Sequence, residues 1–220
     1  MNKKTILSAI AISAAVSACS TTTYVPEEGT MSFFITSVGS GDGANLGGLA
    51  GADRHCASLA RAAGSPRGMN WVAYLSAHET ANSPRVNARE RIGFGPWYNA
   101  NGVEVASTLN NLHSEYMQLG KMNSVTENGD TVNGRGDSPN QHDILTGSSL
   151  SGRLIDDGTN HTCNNWTSNG EGTAQVGHFD RTGGGANPTS WNSAHGSRGC
   201  GQEDLVATGG AGYFYCFANN

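Results

Sequence analysis

Apolar residues fall into short clusters separated by long polar stretches. The first cluster runs from Ile6 to Ala18 without a charge and follows Met1-Asn2-Lys3-Lys4. A basic start leading into such a run is the pattern of an export signal. It is too short to span a bilayer, which needs about 20 apolar residues. Residues 20–30 are polar and read as a tether. Phe33 to Val38 then reads as a strand. Leu49, Ala52, Cys56, Leu59, Ala60 and Ala63 recur at helical spacing, with Gly64 as the stop, so Cys56 is expected on the inner face of a helix. Asn70 to Ser76 alternates as a strand, and Val86 to Ile92 suits a short helix. Pro96-Trp97-Tyr98 and Val103-Glu104-Val105 flank Asn101-Gly102, a hairpin turn signal. Thr108 to Tyr116 predicts a further helix.

The second half is sparser. Glu127 to Asn140 is polar and reads as a long ordered loop; Asp143 to Ser148 and Asn165-Trp166-Thr167 read as short strands. Residues 168–200 read mostly as loop, and Gly212 to Ala218 as a final strand holding Cys216. Strands and helices do not alternate regularly, and there is no internal repeat. The pattern therefore predicts an α+β fold with a largely antiparallel sheet.

Composition sharpens this. Only 36% of residues are hydrophobic and 31 of 220 are glycine, which suits short strands and abundant loops. The net charge of −5 and the lack of a basic patch argue against nucleic acid as a partner. The apolar run ends in Val16-Ser17-Ala18-Cys19. This resembles the lipobox of bacterial lipoproteins, which implies cleavage before Cys19, acylation of that residue and anchoring to a membrane. With Ser20 next, the resemblance implies the outer membrane if the cell is Gram-negative. The organisation expected is a signal peptide over 1–18, a lipidated cysteine and tether over 19–30, and one domain over 31–220.

Four cysteines remain: Cys56, Cys163, Cys200 and Cys216. An even count in an exported chain predicts two disulfides, with three pairings open. A strand precedes a helix bearing the first cysteine, and the last cysteine lies in a terminal aromatic strand. Together with Trp71-Val72-Ala73-Tyr74-Leu75-Ser76, Ile144-Leu145-Thr146-Gly147, Cys163-Asn164-Asn165-Trp166 and Tyr215-Cys216, this order resembles the C-type lectin-like fold, in its endostatin-like and bacterial lectin-like branch. The resemblance spans about residues 31–218. It implies mostly antiparallel short strands, two helices, long loops and nested disulfides, Cys56–Cys216 and Cys163–Cys200. An outer bridge of that kind ties the first helix to the last strand.

Candidate chemistry lies in the two long loops. Asp137, Asn140, His142 and Asp143 offer ligands along one loop; the oxygens of Asp137, Asn140 and Asp143 suit calcium, and equally suit Asx-turns. Asn187-Pro188 and Trp191-Asn192, with Asp180 and His195 nearby, are candidates for a polar ligand, with Trp191 available to stack on a sugar. Calcium-dependent lectins use an Asn beside a Pro and a Trp-Asn-Asp segment, but Ser193 follows Asn192 here, and Asn187-Pro188 comes after Cys163 rather than before it. Gly39-Ser40-Gly41-Asp42-Gly43 lacks dinucleotide-binding spacing and reads as a turn. Arg135-Gly136-Asp137 matches an integrin-recognised tripeptide but reads as a turn with a charged pair. No G-x-S-x-G or H-E-x-x-H is present, and no catalytic residues are assigned. The expectation is a non-enzymatic, membrane-tethered, extracytoplasmic module that binds a glycan or an envelope or matrix protein. The alternatives are a structural envelope lipoprotein without a soluble ligand and, behind it, an enzyme on this fold.

Overall fold

The structure, a computed structural model, describes residues 27–66 and 70–219. The run up to Ala18, the lipidation candidate Cys19 and most of the tether lie outside those residues. The elements in chain order are β1 (Phe33–Ile35), α1 (Gly48–Ala62), β2 (Asn70–Ala73), α2 (Ala88–Arg91), β3 (Trp97–Tyr98), β4 (Glu104–Ala106) and α3 (Leu109–Leu112). Then follow β5 (Asp143–Leu145), α4 (Cys163–Trp166), β6 (Gln175–His178), β7 (His195–Gly196), α5 (Gln202–Thr208) and β8 (Gly210–Asn219). The fold is α+β, and no helix among the described residues is long and apolar enough to cross a membrane.

β8 organises the main sheet. It pairs antiparallel with β1 and with β2, and parallel with β5; β5 continues antiparallel to β6, and β6 to β7. β3 and β4 form a separate hairpin, whose turn places Gly102 in the left-handed region at φ 76°. Side chains alternate across a strand, and here both faces are buried. Phe214, Cys216 and Ala218 of β8 join Phe34, Trp71 and Ala73 against α1, which buries Ala52, Cys56 and Ala60. Tyr215 and Phe217 face the other way, with Phe33, Ile35, Val72, Tyr74, Trp97 and Trp191. Two cores are thus divided by one sheet.

Both disulfides occur, Cys56–Cys216 and Cys163–Cys200. The first joins α1 to β8 across 160 residues of sequence; the second spans 37. It pins α4 to the segment before α5.

Two expectations need correction. Among the described residues five helices stand where the resemblance implies two; the pattern of the chain places α1, α2 and α3, but α4 is a single turn and α5 buries only Leu205, too little to leave an apolar stripe in the sequence. Asn165-Trp166-Thr167 is not a strand: Cys163, Asn164, Asn165 and Trp166 all have positive φ, between 46° and 65°. Such a left-handed turn costs roughly 1–2 kcal/mol per non-glycine residue, so tertiary anchors must hold it. The Asn165 side chain bridges the His78 backbone N–H and carbonyl at 2.8 and 3.1 Å, and Trp166 Nε1 donates to the Ser76 carbonyl at 2.8 Å. Residues 168–200 are mostly loop, as expected, with β6 and β7 extending the sheet through them.

In the chain-entropy account of crosslinks, the outer bridge is worth about 5 kcal/mol and the inner about 4. Replacing Cys56 and Cys216 by serine is expected to lower the unfolding free energy by more than replacing Cys163 and Cys200. Urea denaturation of the two double variants checks the order.

Candidate metal centre

The sheet's far edge, β5-β6-β7, gathers four side chains that the sequence scatters. Asp143 opens β5 and His142 precedes it; His178 closes β6; His195 opens β7. The register sets Asp143 opposite His178 and Val176 opposite His195. The Nε2 atoms of His142, His178 and His195 lie 3.2, 3.3 and 3.6 Å from one atom, Asp143 Oδ1. The Asp143 and His178 side chains are only 2% and 1% exposed, and His195, at 25%, forms the solvent side.

Each ring's other nitrogen is already committed. Nδ1 of His142 faces Asp180 Oδ1 at 3.2 Å, Nδ1 of His178 the Pro188 carbonyl at 2.8 Å, and Nδ1 of His195 the Gly196 carbonyl at 3.0 Å. A carbonyl or carboxylate oxygen only accepts, so each neutral ring carries its proton on Nδ1 and presents an Nε2 lone pair to Asp143. Both Asp143 carboxylate oxygens and His178 Nε2 are buried without a hydrogen-bond partner. Three lone pairs around a buried carboxylate repel unless a cation lies among them. The ligand atoms of His142, Asp143 and His178 all lie within 4.8 Å of one another, close enough for one ion to be held between them, while His195 stands on the solvent side of Asp143. Imidazole rings held through the far nitrogen by carboxylate and carbonyl groups are the usual outer shell of a metal site.

Charge and packing agree. Burial alone opposes protonation of His178, but the Asp143 carboxylate and the Pro188 carbonyl outweigh it and raise its pKa. Burial likewise favours the neutral acid at Asp180. Hydrogen bonds from His142 and from the Arg135 and Thr182 backbone N–H groups win, holding its pKa at about 2. Gly183 closes over the rings: a Cβ there would lie 2.5 Å from His178 Cε1 and 3.2 Å from His142 Cε1.

The expected site residues divide between two places. Asp143, Asp180 and His195 meet at this centre. Asp137 does not: Lys121 and the Gly134 N–H hold its carboxylate. Asn140 Oδ1 accepts from the His142 backbone N–H at 3.3 Å in an Asx-turn. Of the three oxygens considered for calcium, those of Asp137 and Asn140 thus have partners of their own, and Asp143 alone stands at the centre. Asp137 of the Arg-Gly-Asp turn is paired with Lys121, not Arg135. Trp191 is not an open stacking platform; it is 3% exposed, packed on Tyr74, His113 and Tyr215. Asn192 Nδ2 donates to Tyr74 Oη and to the Ser149 and Leu150 carbonyls, and Asn187 Nδ2 to the Ser193 carbonyl. His142 and His178 are the residues sequence reasoning undervalued. Their one legible trace is His178-Phe179-Asp180, an alternation that puts His178 and Asp180 on one face.

Neither a protein-family model nor a curated protein sequence matches the chain.

Behind Trp191, Tyr74 Oη accepts from Asn192 and donates to His113 Nε2 at 2.7 Å, while His113 Nδ1 donates to the Leu109 carbonyl. Burial lowers the His113 pKa to about 4 and keeps the ring neutral. The unfolded chain binds a proton below about pH 6.5 that the folded chain refuses until about pH 4. Its contribution is therefore full above pH 6.5 and lost as pH falls toward 4, by up to about 1.4 kcal/mol per pH unit. An NMR titration of the His113 ring is expected to show a midpoint near 4; a midpoint at 6 or above would contradict this network.

Proposed function

We propose that the protein is an extracytoplasmic binding module on a lectin-like domain, built around a resident zinc ion held by His142, Asp143 and His178, with His195 on its solvent side. The observation that carries this reading is the convergence of three Nε2 lone pairs on the unpartnered, buried Asp143 carboxylate. Two imidazole nitrogens and one carboxylate oxygen form a borderline ligand set that suits zinc. Calcium takes six to eight oxygens and gains little from imidazole. In this reading the ion's work is structural, closing the sheet edge around Asp143. It ties β5, β6 and β7 to the loop 180–194, whose Pro188 carbonyl and Asp180 carboxylate orient two of the rings. That loop then presents a fixed surface to a glycan or protein partner. The lipobox-like Cys19 would hold the module at a membrane.

The test uses the chain purified without metal. Adding zinc to about 100 times its dissociation constant is expected to stabilise it by about 2.7 kcal/mol, a rise of roughly 5–10 °C in melting temperature at this size. Metal analysis is expected to find one zinc per chain. Asp143→Asn should lose that rise, yet be no less stable than the parent when both are metal-free, because it removes a buried unpaired charge. Gly183→Ala should weaken zinc uptake by displacing His178. A dialysed protein that retains no zinc and melts unchanged in its presence would end the proposal.

A further inference from the structure

Beside the centre, on the other flank of the same loop, lies a pocket of about 450 Å³ whose wall includes His113, Met117, Leu150, Arg181, Asn187 and Trp191. Arg181 is unusual there in three respects. Its backbone is left-handed, φ 57°, a conformation a long side chain adopts only when its surroundings impose it. Its Nε is buried without a hydrogen-bond partner. Its Nη1 reaches only the Met117 thioether sulfur, at 3.5 Å, a weak acceptor. Among the described residues no carboxylate lies within salt-bridge distance of it.

A guanidinium held in a strained position against a pocket, with a buried donor unsatisfied, is a group waiting for an acceptor. We propose that this pocket binds a small molecule bearing one carboxylate, which Arg181 grips through its planar fork of donors. The pairing is specific because two parallel N–H groups match the two carboxylate oxygens. Met117, Leu150 and the edge of Trp191 offer apolar surface to the ligand's body, and Asn187 a polar one. His113 is neutral and its ring nitrogens are engaged by Tyr74 and Leu109, so it adds no competing charge. Glu115 is exposed in the wall, which disfavours a densely charged polyanion. The carboxylate could belong to a sugar acid or to the end of a peptide.

The experiment titrates the ¹⁵N-labelled chain with four probes: glucuronic acid, glucose, an N-acetylated amino acid and its amide. The Arg181 Nε–H resonance and calorimetry are the readouts. One or both acids are expected to shift that resonance, and to bind at least tenfold more tightly than the neutral counterpart. Which acid binds identifies the source of the carboxylate. Arg181→Lys is expected to weaken binding at least tenfold. Arg181→Gly, which relieves the left-handed strain, is expected to abolish binding with no loss of melting temperature. Both variants should take up zinc as the parent does, so failure here is distinguishable from failure of the metal reading. Acids that bind no better than their neutral partners, or an Arg181→Gly chain that binds like the parent, would overturn the proposal.

Discussion

The last strand hydrogen-bonds to strands from three separate parts of the chain, and that pairing obliges both of its faces to be buried. Phe214, Cys216 and Ala218 fill one core while Tyr215 and Phe217 fill the other. Each neighbour inherits the constraint. β1 must supply Phe34 to one side and Phe33 and Ile35 to the other, and β2 must do the same with Trp71 and Val72. The Cys56–Cys216 bridge then locks α1 onto this strand. A slip of one residue would exchange every side chain between the cores, so the bridge and the aromatic pattern specify the same register.

The outer end of the sheet obeys a different balance. There the buried groups are polar, and burying a carboxylate without a partner is among the costliest arrangements a fold can hold. Asp143 is held so because β5 is paired on both edges, to β8 and to β6, and its backbone cannot move aside. The glycines at 183–185 allow the loop to close over the rings, and the Asp180 carboxylate and two carbonyls fix how those rings face. One loop thereby serves two neighbours: its backbone orients the histidines, and its outer flank shapes the pocket in which Arg181 stands.

Much was legible from local pattern. Periodicity placed α1 and the inner position of Cys56, and alternation placed β1, β2 and β8. Asn101-Gly102 marks the hairpin of β3 and β4 because Gly102 supplies the positive φ that closes the turn. Local pattern failed where distant contacts overrule it. Trp166 and Thr167 carry strand-like propensity, yet Asn165, Trp166 and the Cys163–Cys200 bridge hold that segment in a left-handed turn. Trp191 stands in a polar loop where sequence alone leaves both stacking on a ligand and burial open; its burial depends on Tyr74 and Tyr215, far away in sequence.

What the sequence determined by itself is whatever neighbours along the chain decide: the helical face of α1, the alternation of the main strands, the even count of cysteines and the export-like start. Tertiary structure decided the rest. His142 and Asp143 are adjacent, but His178 and His195 join them only because β6 and β7 lie beside β5. Side chains drawn from three strands have no fixed spacing, so no local motif could announce them. Their meeting is a property of strand order, and strand order is set by the burial of β8.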